Sequence, residues 1–557
     1  MVCILYLLRP EKSWKISGYK MVNSKFYSRI LAEKWQLIAL IFIILVGIAL
    51  RSYCFGGMWG TDDGEYGRLA NALARGDFDE FVKENYIDNF NAPAQLPFRF
   101  GMTVPLALLF RLFGVNEAAL FAYPLFLSVS SIILAFLFGR LLFNTNAGII
   151  AAALWAVFPE DVSLATSFLP DAIASFYGSL GILIVLFIMQ SNPEGSSARL
   201  LGGLFAGFIF GLSWLSKESI IYLVPFCLFL LGIDVKKNFK AALPLWAGIA
   251  MGSGGILLTE MLTYHTLKGD FLLRMHEIER SHVQAKSYLF FEGSRFGWPE
   301  GGSQIKAIIK RLFLDGPSDV FLNPRFLFLP LFGLLATAYA VYWSDRSFLV
   351  PALWMLTLAF MYNFGSVSLS SYSPLPMYSR YPHPLMLPAA VLTAGLITKI
   401  LAADHDAMPR TSIRERFFWG LVVACLVVTT SLYMTFRQVR DCPEKRALFD
   451  EMRIPAKLIK PSDRLYTDPL SSKALEFYWG YPRKMNMINF EGMQPEDIKP
   501  GSFVLVNKYR LDWLNVNVSM WLTKEYGYHK PAFSGAAPDS WTRLWSNNGG
   551  TLYRVIE

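Results

Sequence analysis

The chain has 557 residues, of which 54% are hydrophobic and 17% are charged, and its formal net charge is +9. Together with a mean hydropathy of +0.35, this composition excludes a soluble globular protein and indicates a polytopic helical membrane protein. The basic residues lie mainly beside apolar runs, so the positive charge indicates membrane topology and not nucleic-acid binding.

The chain begins with a basic arm, residues 1–34, which is predicted to lie in the cytoplasm. Residues 36–50 carry no charge and are bracketed by Trp35 and Tyr53, as expected for a first membrane span. The short apolar start of the arm leads into a long basic stretch and not into a small-residue cleavage site, so no cleavable signal is expected.

Three carboxylates follow the first span at the predicted membrane surface: Asp62, Asp63 and Glu65, ahead of Tyr66. A carboxylate moved into hydrocarbon costs roughly 2.5–3.5 kcal/mol, so an acidic cluster at this depth is a candidate site. A solvated loop with helix-capping aspartates explains this segment alone equally well.

Residues 98–113 decide the topology. Arg99 and Arg111 leave an uncharged run between them that is too short for a span, so this segment is predicted to be an interfacial helix. The short basic loops then all lie in the cytoplasm, with the N-terminus inside and the C-terminus outside. Eleven spans are predicted, at residues 36–50, 117–140, 147–159, 170–190, 199–215, 218–233, 241–262, 326–343, 347–364, 382–400 and 417–436.

This topology brings distant charged residues to the outer face. Asp171 opens a span directly after a proline, where a helix N-terminal charge is the simpler explanation when it is taken alone. Lys217 and Glu218 occupy an outer turn, and they either pair with each other or bind phosphate. Arg380 begins a span beside Tyr381, and an interfacial snorkelling role is the alternative to phosphate binding.

Short motifs occur at residues 62–70, 106–114, 116–117, 139–143, 170–172, 211–218 and 379–388. In this order they resemble the protein O-mannosyltransferase and lipid A aminoarabinose transferase superfamily of GT-C glycosyltransferases, which is glycosyltransferase family 39-like. The resemblance covers roughly residues 35–435, and no single stretch is specific. Two positions depart from the family pattern: Asp63 stands where Glu is usual, and the Lys-Pro-Pro pattern is replaced by the sequence around Arg99, so a substrate contact made there differs.

The resemblance implies a GT-C fold and a sugar donor linked to a polyprenyl monophosphate. The acceptor is a hydroxyl of a lipid, a protein or a glycan, and Asp62 is expected to be the general base that takes its proton. The leaving phosphate needs positive charge, which Arg380 supplies as a planar fork and Lys217 as a point charge. The remaining candidate residues are Asp63 and Asp171 as further catalytic carboxylates, Tyr381 at the donor phosphate, and Glu65, Tyr66, Arg99 and Glu218 in substrate binding.

No metal or other cofactor is predicted. The leaving group is already an anion, so the chemistry does not oblige a metal. In the long outer loop, residues 263–325, His265, His276 and His282 are dispersed and lack the spacing of metal ligands. They are interpreted as loop or acceptor-side residues.

Three regions are predicted: the arm at 1–34, a transmembrane catalytic domain at 35–436 whose first outer loop is 55–116, and an extracytoplasmic α/β domain at 437–557. In the last, strands are expected at 463–467, 482–490, 502–506 and 551–556, with a helix at 472–478. This domain is a structural cap or an acceptor-binding unit. The five cysteines form no disulfide framework, although Cys54 and Cys442 are both predicted to reach the outer face.

A lipid or sugar transporter or flippase is the alternative class. Transport predicts charges near mid-membrane and two related halves, but the chain has long uncharged runs and no internal repeat. An integral membrane enzyme of a bacterial or archaeal plasma membrane is therefore the favoured interpretation, with the polyprenyl-linked sugar and the acceptor as its partners.

Overall fold

Uncharged apolar segments form a bundle of helices, because a backbone in hydrocarbon must satisfy its hydrogen bonds internally. The computed structural model describes residues 23–58, 62–78, 98–191, 195–279, 309–366, 380–401, 410–490, 493, 495–507, 537–546 and 550–556. The α-helices are α1 (Asn23–Tyr53), α2 (Asp62–Arg75), α3 (Phe100–Phe113), α4 (Glu117–Leu142), α5 (Thr145–Ala156), α6 (Pro159–Leu164), α7 (Pro170–Ser191), α8 (Ser196–Ser216), α9 (Val224–Lys268), α10 (Leu273–Glu279), α11 (Gly316–Phe321), α12 (Leu329–Trp343), α13 (Leu349–Phe364), α14 (His383–Leu401), α15 (Arg410–Leu458) and α16 (Pro469–Tyr478).

Eight helical segments in the described part of the chain are long and apolar enough to cross a membrane. One of them, Glu218–Lys268, holds two helical halves, because the backbone of Asn238 is extended (φ −162°, ψ 99°) and interrupts α9. Two shorter apolar helices, α5 and α12, match the remaining predicted spans. Each of the eleven predicted spans therefore corresponds to a helical segment.

Helix α3 is the segment predicted to be interfacial. Its 14 residues extend over about 21 Å, less than the hydrocarbon thickness. Its start lies against the end of α8, since a Cβ at Gly101 would be 2.4 Å from Ser216 Oγ. Tyr123 of α4 donates a hydrogen bond to the Gly101 carbonyl at 3.0 Å. Helix α3 thus packs against the ends of spans, at what is called here the site end of the bundle.

The C-terminal region contains a five-stranded mixed sheet of β1 (Leu465–Thr467), β2 (Met487–Asn489), β3 (Phe503–Asn507), β4 (Trp541–Ser546) and β5 (Gly550–Val555), in the order β2-β1-β3-β5-β4. Strand β1 is parallel to β2 and β3, and β5 is antiparallel to β3 and β4. Each of the four predicted strands overlaps an observed one, and α16 contains the predicted helix. Strand β4 was not predicted, because it is an edge strand whose residues Thr542, Arg543 and Leu544 are all exposed, so it lacks an apolar alternation.

The sheet region packs against the helical bundle. Helix α15 runs without a break past the predicted domain boundary at 437 and ends at Leu458. A hydrophobic cluster joins Leu69 of α2 and Leu106 of α3 to Leu475 of α16 and Leu505 of β3, all of which are buried. The C-terminal region and the site-end helices therefore share one core.

One disulfide fastens the first and last spans together. Cys54 at the end of α1 bonds to Cys442 of α15, with their Cα atoms 5.0 Å apart. The cysteines were interpreted as forming no disulfide framework, and this single bridge joins the two that were predicted to reach the outer face. Cys227 and Cys425 are free.

Candidate active site

Four of the predicted residues form a chain of opposite charges at the site end. Arg380 Nη2 donates to Asp62 Oδ2 at 3.2 Å, and Arg380 Nε lies 3.9 Å from Asp171 Oδ2. On its other oxygen, Asp171 accepts a hydrogen bond from Lys217 Nζ. The charges alternate along the order Asp62, Arg380, Asp171 and Lys217, although these residues come from four separate segments of the chain.

Local sequence explains why each group stands at the end of an element. Helix α2 begins at Asp62, where a carboxylate is stabilised by the helix dipole. Asp171 follows Pro170 in the first turn of α7, where proline is tolerated. Helix α8 stops at Lys217, whose backbone is extended (φ −155°, ψ 133°). Arg380 lies in the turn before α14.

An aromatic ring completes the cationic side of the site. Lys217 Nζ lies 3.8 Å from the centroid of the Tyr381 ring, and Arg380 Cζ lies 5.4 Å from the same centroid. A ring face attracts a cation within about 6 Å of its centroid. Tyr381 thus holds both cations on one side of the site.

The outer part of this charge chain is accessible and the inner part is buried. The side chains of Asp62 and Arg380 are 36% and 28% exposed, whereas those of Lys217 and Asp171 are 7% and 1% exposed. Burial alone would raise the pKa of Asp62, but the charges of Arg380, Arg99 and Lys473 together lower this pKa below its ordinary value. Asp62 is therefore an ionised, accessible carboxylate. The pKa of Lys217 is lowered by burial, and the charge of Asp171 opposes this shift.

Arg99 and Glu218 form a further charged pair beside Lys217. Arg99 has a left-handed backbone (φ 47°) just before α3, and its Nη2 donates to Glu218 Oε1 at 3.5 Å. Its guanidinium carbon lies 5.7 Å from the centroid of the Tyr66 ring. Burial raises the pKa of Tyr66, so this phenol stays neutral.

Two residues that hold this pair in place, Arg274 and Glu260, were not predicted from the sequence. Arg274 of α10 lies 3.6 Å from Glu218, and it donates to Glu260 Oε1 at 2.5 Å. Trp214 Nε1 donates to the other oxygen of Glu260 at 2.6 Å. Glu260 ends an uncharged run of α9. An ionisable residue inside an apolar helix indicates a functional site, so the sequence contained a signal for Glu260. Arg274 had no such signal.

Asp63 and Glu65 face the C-terminal region. The side chain of Glu65 pairs with Arg68 at 3.1 Å and with Lys473 of α16 at 3.5 Å. Asp63 is buried near Tyr481. Burial raises the pKa of Tyr481 well above its usual range, and the charges of Glu476, Asp63 and Glu65 raise it further.

A second buried charge network, also missed, is linked to the site through α14. Arg51 of α1 is fully buried and donates to Asp161 Oδ2 and to Ser128 Oγ, each at 2.6 Å. His383 Nε2 lies 3.0 Å from the other oxygen of Asp161. Because His383 follows Arg380 by three residues, this network ties the first turn of α14 to α1, α4 and α6.

No group of three or more His, Cys, Asp or Glu side chains is placed to hold a metal ion among the residues that the structure describes. His265 stacks on Phe271 with ring centroids 4.0 Å apart. His276 Nδ1 lies 2.7 Å from Asp270 Oδ2. His282, the third histidine of the long loop, is outside the described residues.

An apolar cavity of about 720 Å³ lies between residues 312–321, the start of α9 and α13. Its lining includes Phe229, Phe313 and Phe360. Tyr362, next to the lining residues Met361 and Asn363, is within electrostatic range of Asp171 and Glu218. Helix α13 therefore lines the cavity with some of its residues and approaches the charge chain through Tyr362.

The fold matches that of known glycosyltransferases. The crystal structure of ArnT from Cupriavidus metallidurans bound to undecaprenyl phosphate superposes with a TM-score of 0.56 over 94% of this chain and 98% of that one, at 14% identity. The oligosaccharyltransferase AglB from Archaeoglobus fulgidus, in complex with an inhibitory peptide and a dolichol-phosphate, gives a TM-score of 0.54 over 94% of this chain and 74% of that one, at 12% identity. The chain has the GT-C glycosyltransferase fold.

Sequence comparisons agree with this fold. A model of the dolichyl-phosphate-mannose-protein mannosyltransferase family matches residues 103–252. The STT3B subunit of the dolichyl-diphosphooligosaccharide–protein glycosyltransferase of Arabidopsis thaliana is 31% identical over 128 residues, which are 23% of this chain and 17% of that protein. All of these proteins are glycosyltransferases, and the predicted GT-C membrane fold with a C-terminal α/β domain is confirmed.

Proposed function

We propose that this integral membrane protein transfers a sugar from a polyprenyl-monophosphate donor to a hydroxyl group of a lipid, a protein or a glycan. One observation carries the proposal: an accessible, ionised carboxylate, Asp62, pairs with the cation Arg380. A buried carboxylate, Asp171, lies between Arg380 and a second cation, Lys217, and holds both in place. Glycosyl transfer from a phosphate needs a proton acceptor and a cationic site for the leaving group side by side.

In the proposed reaction Asp62 accepts the proton of the acceptor hydroxyl as its oxygen bonds to the anomeric carbon. The bond between that carbon and the phosphate oxygen breaks, and its electron pair leaves with the polyprenyl phosphate. Arg380 and Lys217 stabilise the charge that builds on the phosphate oxygens. Arg380 donates a hydrogen bond to Asp62, so a bound phosphate that attracts its guanidinium frees the carboxylate to act as a base.

The other candidate residues have supporting roles in this proposal. Asp171 fixes Lys217 and Arg380, and it is the next candidate for the base. Arg99 and Glu218 hold the segment that carries Lys217. The apolar cavity is suited to the isoprenoid chain of the donor, because its lining is almost entirely hydrophobic.

The site is proposed to face the outside of a bacterial or archaeal plasma membrane. The positive-inside rule supports this orientation. So does the bridge between Cys54 and Cys442 near the site end, because structural disulfides persist in oxidising compartments and are rare in the cytosol.

The decisive experiment compares wild-type protein with Asp62→Asn in liposomes that contain polyprenyl phosphates carrying different single sugars. We expect release of polyprenyl phosphate to fall on the order of 10²–10⁴-fold in Asp62→Asn, because the amide keeps the shape but cannot accept a proton. Binding of undecaprenyl phosphate is expected to be retained. Asp345→Asn is the matched control: this carboxylate pairs with Lys399 at 2.9 Å at the other end of α14, so turnover should be unchanged.

Two outcomes would contradict the proposal in different ways. Near-normal turnover by Asp62→Asn would show that Asp171 is the general base, or that the assignment of this site to sugar transfer is wrong. Binding of the lipid by the wild type without product from any donor would favour a transporter.

A further inference from the structure

The first turn of α2, which carries Asp62, lies between the charged site and the C-terminal region. On the site side, Asp62 pairs with Arg380. On the other side, Tyr481 Oη donates to the carbonyl of Gly64 at 3.1 Å, and Lys473 Nζ lies 3.5 Å from Glu65 Oε2. Two side chains of the C-terminal region thus contact the turn that presents the carboxylate.

The helix surface is shaped to these two side chains. A Cβ at Gly67 would lie 2.2 Å from Tyr481 Oη, and a Cβ at Gly64 would lie 3.1 Å from the Cβ of Lys473. Any larger residue at Gly67 would displace the tyrosine, because distances below 3.0 Å are not tolerated. The glycines allow an approach that fixes the position of the turn.

Tyr481 is itself held in an unusual conformation. Its φ is 53° and that of Gly480 is 73°, so two residues in succession are left-handed after α16. A bulky residue in this region is strained and persists only where its surroundings determine its conformation. Here the Tyr481 amide donates to the carbonyl of Glu476 at 2.7 Å, and the ring is buried.

We propose that Tyr481 and Lys473 are positioning residues, through which the C-terminal region holds the first turn of α2 and sets the place of Asp62 against Arg380. This inference rests on the proposed function. The C-terminal region would then position the catalytic carboxylate, in addition to any role as a cap or an acceptor site.

Charge supports the same role. The cations that act on Asp62 come from three elements: Arg380 before α14, Arg99 before α3 and Lys473 of α16. Its own helix contributes Asp63 and Glu65, and Asp171 of α7 lies beyond Arg380. Lys473 therefore helps to keep Asp62 ionised, and its removal raises the pKa of that carboxyl.

The test uses the full-length protein in detergent with four variants. Tyr481→Phe removes one hydroxyl, Lys473→Met removes one charge, and Lys473→Arg keeps the charge. Arg483→Ala is the matched control, because it breaks a contact of the same region with the end of the same segment, the exposed pair between Arg483 and Asp77 at 3.0 Å.

We expect hydrogen exchange of the amides in residues 62–69 to rise roughly 10-fold in Tyr481→Phe and Lys473→Met. With any donor that the wild type accepts, kcat should fall roughly 10-fold while the donor KM is unchanged, since a small misplacement of the base affects the chemical step. The acid limb of the pH profile should move to higher pH in Lys473→Met only, and Lys473→Arg should restore it. Arg483→Ala should match the wild type in all three measurements.

Unchanged exchange and unchanged kcat in both Tyr481→Phe and Lys473→Met would overturn the positioning role, even with Asp62→Asn inactive. Wild-type protein that binds no undecaprenyl phosphate and turns over no donor contradicts the proposed function instead, and hydrogen exchange still decides whether the two side chains hold the turn. Thermal midpoints equal to that of Arg483→Ala show that the variants are folded.

Discussion

Lys217 carries its charge at a nearly buried position. It lies between the carboxylate of Asp171 and the ring of Tyr381, and its ammonium has little water around it. Desolvation disfavours the charged form of a lysine, and an adjacent carboxylate favours it. The group is thus fixed in place but loses its proton more easily than a surface lysine, which makes it a sensitive reporter of the proposed leaving-group site.

The opposing effects of burial and of the Asp171 carboxylate on Lys217 predict the pH dependence of transfer. Burial lowers the pKa of Lys217, so kcat/KM should decline on the alkaline side at a pH below 10.5, the ordinary pKa of lysine. The pKa of Asp62 is also lowered, so no acid loss from this group is expected between about pH 5 and 7. Lys217→Arg, which stays charged, should move the alkaline limb to higher pH. An identical alkaline limb in Lys217→Arg would assign that limb to another group.

The candidate site residues that the sequence predicts lie close to the ends of spans. Asp62, Lys217 and Arg380 are charges beside apolar runs, so topology alone places them on one face. Tyr481 and Lys473 were not predicted, because their roles depend on contacts across the chain: Tyr481 and Gly64 are separated by 417 positions. A tyrosine in a soluble region gives no local signal of such a contact.

At the scale of elements, close helix packing depends on glycines. Gly203 and Gly207 of α8 face Gly248 and Gly252 of α9, so that each helix presents two glycines four residues apart to the other. A Cβ at Gly203 would lie 2.1 Å from the carbonyl oxygen of Leu245. Small residues at this spacing allow helix backbones to approach in membranes. The pattern is readable in the sequence, but the partner helix is identified only by the structure.

Gly203→Ala should therefore destabilise the bundle. The added methyl meets backbone and not a flexible side chain, so the two helices must separate, at a cost of about 1–3 kcal/mol for overpacking. The measurement is the thermal midpoint of the purified protein in detergent. Gly254→Ala is the control, because no atom lies within 4 Å of a Cβ built there. Equal midpoints for the two variants would show that the contact between α8 and α9 is looser than described.

At the scale of the whole molecule, the C-terminal region and the helical bundle are packed together. They share a buried hydrophobic cluster, and the bridge between Cys54 and Cys442 joins α1 to α15. The drop in hydropathy after residue 437 predicts an extracytoplasmic domain, but composition reports the environment of a segment and not what it packs against. Hydrogen bonds place this region directly on α2 and on the start of α4.

This arrangement requires the site and the C-terminal region to lie on the same side of the membrane, and the positive-inside rule makes that side the outside. In a variant that keeps only Cys54 and Cys442, we expect Phe78→Cys and Lys499→Cys, both at exposed positions, to react with a membrane-impermeant maleimide in intact cells, or in spheroplasts where an outer membrane is present. Lys237→Cys, in the exposed segment at the break in α9, should react only after permeabilisation. Labelling at only one of positions 78 and 499 would show that the span count is wrong, because the contacts between α2 and the C-terminal region allow no membrane between them. Labelling of position 237 in intact cells, with 78 and 499 protected, would instead invert the orientation and place the sugar transfer on the cytoplasmic face.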